Sequence, residues 1–117
     1  TVGDFFLKLL HAATNGHILH LQSKSYSEHK ALQAYYENLP DLVDNIIEQW
    51  QGAYQTIVEY PSNYAPPNKN ALAEVVAVRD FVVNNRDVVG DYTSIQNQVD
   101  ELMSLLDSTV YKLTFLQ

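Results

Sequence analysis

The sequence predicts an all-α protein built as a four-helix bundle. Three observations carry this. Apolar residues recur at three- and four-residue steps in four separate stretches, the periodicity of helices with one buried face. Alternation at period two is nowhere sustained; the run FVV at Phe81 to Val83 is too short for a strand. The only clear connection of any length, PSNYAPPNK from Pro61 to Lys69, carries three prolines and divides the four stretches into two helical hairpins. Short, long and short connections between four helices make a bundle.

The first helix is expected from residue 2 to about residue 21, with Phe6, Leu10, Ala13, His17 and His20 on one inward stripe. The polar stretch Gln22 to Ser27 forms the corner. Ser25 or Ser27 caps the next helix, and Glu28 falls near its first turn. A second helix is expected to about residue 60 on the stripe Leu32, Tyr36, Leu39, Val43, Ile46, Ile47, Trp50 and Ile57. Pro40 should kink it, and Gly52 is a second weak point, so two shorter helices are an alternative. The third helix runs from residue 70 to about 89 on Leu72, Val75, Val76, Arg79, Val82 and Val83, with Gly90 marking its end. The fourth, from residue 91 to 115, uses Ile95, Val99, Leu102, Leu106, Val110 and Leu113.

A chain of 117 residues is one domain, residues 1–117, large enough for a core without covalent staples. It has no cysteine, which removes disulfides, thiolate zinc sites and a cysteine nucleophile. Fourteen acidic residues against seven basic ones give a formal charge of −7, with no Lys/Arg cluster. Direct binding to nucleic acid or to anionic membrane is therefore disfavoured. No apolar run approaches a membrane span and the N-terminus lacks a secretion-signal plan, so the expected location is cytoplasmic.

The most specific feature is a ladder of ligand-type residues, His17, His29, Asp44 and Glu48, at separations of twelve, fifteen and four. Asp44 and Glu48 lie one turn apart on a helix face and can share one target, because two adjacent anions need a cation, a base or bulk water beside them. His29 and Asp44 would be about 22 Å apart along a continuous helix. They cannot bind one ion within a chain. A single site requires His17 and His29 from one subunit and Asp44 and Glu48 from a second, across a two-fold axis, which predicts a homodimer with two composite sites. In the first hairpin His17 and His29 flank the corner, and antiparallel packing is expected to bring their imidazoles to similar heights.

Two imidazoles with two carboxylates suit Fe(II), Zn(II) or Mn(II), and iron is preferred because helical bundles build iron centres from inward Glu, Asp and His. His20, one turn from His17, is a candidate further ligand or a partner of the ligands. A lone inward histidine is more often a hydrogen-bonded core residue; the joint spacing is what lifts the four above that background. His11 falls off the inward stripe, Asp41 fits a solvated acidic face, and Glu37, Asp80 and Glu101 are expected at the surface. Trp50, Tyr35 and Tyr36 could quench oxidising equivalents, although aromatic residues at helical spacing more often form core.

From Phe5 to Gly52 the chain resembles the ferritin-like proteins of the DNA-protecting, starvation-induced type, the Dps-like family. The segment HILHLQSKSYSEHKALQAYYENLPDLVDNIIEQWQG matches that family's inter-subunit ferroxidase segment in ligand order and spacing, with a glycine shortly after the last carboxylate. The resemblance implies a ferritin-like four-helix domain that oxidises Fe(II) with peroxide or oxygen at His17, His29, Asp44 and Glu48 shared across a dimer, and assembly into a dodecameric cage. More narrowly, HLQSKSYSEHKAL and LVDNIIEQWQG resemble ferritin-like proteins of tailed bacteriophages. Three departures count against the full set of family properties. There is no basic tail for DNA, the middle connection is too short and proline-rich for the family's extra helix, and Ser23, Lys24 and Ser25 replace its glycine–proline break.

Two functions of different class remain open: an iron oxidase of ferritin type, and a non-enzymatic, phage-encoded interaction or structural protein on the same scaffold. A metal-dependent hydrolase is less suited to a set with two carboxylates.

Overall fold

The computed structural model describes residues 1–117 and is all-α, a bundle of four helices. Helix α1 spans Val2–Gln22, α2 spans Tyr26–Tyr54, α3 spans Ala71–Asn85 and α4 spans Thr93–Phe115. A short 3-10 turn, Arg86–Val89, follows α3.

Three of the four helices start at a side-chain cap. Thr1 caps α1 by accepting from the Asp4 amide at 3.2 Å, and the Asp4 carboxylate returns to the Thr1 hydroxyl and amine. Ser25 caps α2 by accepting from the Glu28 amide at 3.3 Å, and Ser23 Oγ donates to the Glu28 carboxylate at 2.6 Å. Asn70 caps α3 through the Ala73 amide at 2.9 Å.

Helix α2 is one helix. Pro40 lies inside it without a break, on the exposed face, where the carbonyl it leaves free can be hydrated. The helix also runs past Gly52 and stops earlier than the apolar stripe suggests. Gln55 takes the left-handed conformation, φ 53°, and Gln51 Oε1 accepts from the Val58 amide at 3.0 Å, turning the chain away. Ile57, expected inward, is therefore exposed and Val58 is buried.

The connection that follows climbs the bundle. The Glu59 carbonyl presses on Gly3 at the start of α1; Tyr64 and Ala65 meet Asn15 in its middle; Pro66, Pro67 and Lys69 line a depression with Ile18 and Gln22 at its end. The chain is thus carried the length of α1 and delivered to the end where α2 began. Helix α3 runs parallel to α2, so the packed pairs α1/α2, α3/α4, α2/α4 and α1/α3 are all antiparallel.

One core joins the four helices, with Phe5, Phe6, Leu9, Leu32, Tyr35, Leu39, Val43, Ile46, Val75, Val82, Ile95, Val99, Leu102 and Leu106 buried. Each large apolar side chain removed from water contributes about 1.5–3 kcal/mol. On α4 the expected stripe is the buried one, except that Thr109 lies deeper than Val110; its hydroxyl donates to the Leu105 carbonyl at 2.8 Å. On α3 the buried positions are Ala71, Val75, Val78 and Val82; Val83 is exposed, and Arg79 reaches Asp107 at 3.5 Å.

Helix α1 departs most from expectation. Its buried face is Phe5, Phe6, Leu9, Ala12, Asn15, Gly16, Leu19 and His20, so the stripe lies about one residue from the expected phase. Leu10 and His17 are exposed, and only His20 of the two expected inward histidines is buried. Two residues cause this. Asn15 is drawn inward by the crossover, accepting from Tyr64 Oη at 2.5 Å and donating to the Ala65 carbonyl at 3.1 Å. Gly16 lets the Tyr35 ring lie against α1.

Candidate metal centre

The α1–α2 corner carries three histidines whose positions follow from hairpin geometry. His20 and His29 stand nearly equidistant from the corner at residues 23–25 and meet face to face, ring centroids 3.6 Å apart and planes 20° apart. His20 Nδ1 bonds to the His29 carbonyl and His29 Nδ1 to the His20 carbonyl, both at 2.8 Å. A carbonyl only accepts, so each Nδ1 carries a proton and Nε2 is the nitrogen left to offer a lone pair.

His17 lies a turn further down α1, its ring 6.0 Å from that of His20. It is level with Tyr36 rather than with His29, and stacks on it at 4.1 Å with planes 6° apart. The expectation that His17 points inward at the height of His29 is corrected: it is exposed and one turn deeper, because the next turn of α1 packs against the next turns of α2. Tyr36 was not foreseen in this role. The signal available was the antiparallel pairing itself, which places residues 16–17 opposite residues 35–36.

Asp44 and Glu48 lie in the C-terminal half of α2, both exposed. A hydrogen bond shared with Asp44, and then the charge of Asp44, hold the Glu48 carboxyl above the usual carboxylate range. Neither forms an ion pair. Because α2 is continuous from Tyr26 to Tyr54, His29 and Asp44 are separated by about 22 Å of helix, and fifteen residues bring them to within about 60° of the same side. No three His, Asp or Glu side chains converge to hold an ion within one chain.

The donors nevertheless fit a shared site in one respect. His29 is half-buried with its Nδ1 proton fixed on a main-chain carbonyl, the arrangement that orients Nε2 of a metal-ligating histidine. His17 makes no hydrogen bond to the protein, and its ring is held by stacking alone. His20 is buried. The stacked planes of His20 and His29 point their in-plane lone pairs along separate directions, so those two do not chelate one ion as a pair.

The other singled-out residues fall as follows. His11 is half-buried and meets Tyr64 edge-on at 4.9 Å. Asp41, Glu37, Asp80 and Glu101 are exposed. Trp50 packs edge-on against Phe6 at 6.2 Å, Tyr35 is fully buried, and Tyr36 is half-buried. No helix is long and apolar enough to cross a membrane.

The chain is 28% identical over 114 residues to a protein of Enterobacteria phage T4 described as "Uncharacterized 14.6 kDa protein in mobD-ri intergenic region". That match covers 95% of this chain and 87% of the T4 protein. No solved structure matches. A family profile matches residues 20–113, from the second histidine of the corner to the last buried leucine of α4, and its description is "Family of unknown function (DUF5856)". With most of the bundle inside that match, the chain belongs to the DUF5856 family, and a phage protein is among its relatives.

Proposed function

We propose that this protein acts as a homodimer that binds and oxidises Fe(II) at two equivalent sites, each made of His17 and His29 from one subunit and Asp44 and Glu48 from its partner. The observation that carries the reading is where the ladder lies. His17, Asp44 and Glu48 are exposed and His29 is half-buried, all reachable from outside, and α2 holds His29 about 22 Å from Asp44. A two-fold axis across the α1–α2 face joins the nitrogen end of one chain to the carboxylate end of the other.

Fe(II) is the substrate. Two Fe(II) ions give up two electrons to one peroxide, which takes two protons and leaves as two waters. The carboxylates favour the harder ferric product. His29 is held ready by the His20 carbonyl, and Tyr36 holds the ring of His17. The single long crossover between two antiparallel hairpins also supports a ferritin-like arrangement. Zinc or manganese would suit the same donors, and a dodecameric cage is an assembly the dimer could build. The acidic charge argues against DNA as a partner.

The test is anaerobic loading with Fe(II) followed by peroxide. Ferric absorbance stoichiometric with sites is expected from the wild type, and Glu48→Ala, a fully exposed position, should abolish it with the helical signal and melting temperature unchanged. An inert wild type, or a strictly monomeric one, refutes the reading.

The alternative is a phage-encoded interaction protein on the same scaffold. The reciprocal His20–His29 clasp favours it, since both imidazoles have a complete structural task in fastening the corner of α1 and α2. On that reading Glu48→Ala leaves partner binding intact and the purified protein shows no turnover of Fe(II).

A further inference from the structure

The two ends of this chain carry opposite excesses of unpaired charge, while further exposed carboxylates lie along its body. The molecule is 44 Å long and 29 by 22 Å across. Of the seven basic side chains only Arg79 and Arg86 reach a carboxylate, Asp107 at 3.5 Å and Asp100 at 2.7 Å. Lys30 and Lys112 line one depression where the start of α2 meets the C-terminal turn of α4, Lys24 lies in the adjoining α1–α2 corner, and none of the three is in an ion pair. Glu28, at the same corner, is held by Ser23. This end also exposes large apolar side chains: Tyr26 is 77% exposed and Phe115 72%, and Leu116 lines one depression with Lys30 and Lys112.

The opposite end is built from the start of α1, the end of α2 and the turn between α3 and α4. Tyr54 lies 5.3 Å from Tyr92 there. Glu59, Asp87 and Asp91 are exposed at this end and unpaired, because the nearby Arg86 is taken by Asp100 and by Gln96. It too exposes apolar surface, with Ile57 76% exposed and Tyr92 51%. Scattered exposed apolar residues need no explanation, but two clusters at opposite ends, one with an excess of lysine and the other with an excess of carboxylate, do.

We propose that these ends dock on each other in successive copies of the chain, the lysine end of one molecule on the acidic end of the next. A second copy is the occupant that the charges favour. It supplies carboxylates and aromatic rings together, whereas a nucleic acid or an anionic membrane would meet three lysines on a body of net charge −7. The two surfaces differ, so the contact is heterologous and repeats until the rotation closes a ring or leaves an open chain. It uses none of His17, His29, Asp44 or Glu48, so it stands or falls separately from the metal site.

Sedimentation of the wild type across a concentration series tests it without any variant. At about 0.05 M salt the mass should rise with concentration beyond a dimer, and at about 0.5 M the association should weaken about tenfold or more. Lys24→Glu/Lys30→Glu/Lys112→Glu and Asp87→Lys/Asp91→Lys should each lose this association alone and regain it when mixed in equal amounts. A wild-type mass insensitive to salt and concentration overturns the proposal. So does a mixture that stays apart, or an association that survives reversal of Asp87 and Asp91, which would place the partner surface elsewhere.

Discussion

Gly16→Ala and Gly52→Ala are the same chemical change in two surroundings, and the structure gives them opposite signs. Gly16 is buried where α1 crosses α2, and a Cβ there would stand 2.9 Å from Cδ2 and Cε2 of Tyr35 and 3.4 Å from Cβ of Tyr36. Tyr35 is only 1% exposed and cannot swing away. The substitution gains about 1 kcal/mol of helix propensity and incurs about 1–3 kcal/mol of overpacking, for a net loss centred near 1 kcal/mol. Gly52 has no atom within 4 Å of the added carbon and is exposed. There the propensity gain stands alone, about 0.5–1 kcal/mol. The two variants should therefore differ by about 2 kcal/mol in urea unfolding, or about 8 °C in melting temperature for a chain of this size. Gly16→Ala should also shift the ring resonances of His17, whose stacking partner Tyr36 is displaced, and Gly52→Ala should not. Equal stability of the two would show that α1 and α2 are not wedged at Tyr35.

Asp44→Asn removes the carboxylate whose hydrogen bond and charge hold Glu48 up, so the Glu48 carboxyl should titrate at lower pH in the variant, followed by the side-chain carbon shift. The sign for stability follows. A carboxyl raised in the folded state binds its proton more tightly there than in the unfolded chain, so its contribution grows as pH falls through the raised value, and that slope should flatten in Asp44→Asn. An unchanged Glu48 titration would mean the two carboxylates do not interact. Tyr35→Phe removes the only buried side-chain polar atom without a hydrogen-bond partner, a hydroxyl whose pKa is pushed up by burial and by the charge of Glu74. It should stabilise the fold by about 1 kcal/mol in urea unfolding; a loss would reveal a partner for that hydroxyl.

The helices were legible because their stripes are long, and the start of α2 also because a serine marks it. Ser25, one of the two caps expected, and the α4 series Ile95, Val99, Leu102, Leu106 and Leu113 stand where capping and periodicity put them, whereas α3 stops at Asn85 and Gly90 closes the 3-10 turn after it. The adjacency of Asp44 and Glu48 was equally readable, since four residues are one turn whatever the fold. The phase of α1 was not. An amide and a glycine occupy its buried face at Asn15 and Gly16, each inward for a long-range reason, the crossover in one case and Tyr35 in the other. Neither reason exists until the chain is folded. The orientation of His17 went wrong with that phase, whereas the separation of His29 from Asp44 survived, because it depends only on α2 being continuous.

The crossover that climbs α1 also sets an order of events in time. Each hairpin can close through a short turn, so α1 with α2 and α3 with α4 are local pairings that form at little entropic cost. The packing of α2 on α4 and of α1 on α3 must wait until the segment from residue 56 to residue 70 has been laid along α1. The Asn15 bonds to Tyr64 and Ala65 belong to that late stage. Weakening them should hasten unfolding far more than it slows folding, so the lifetime of the native bundle, rather than the speed of its formation, rests on that one amide.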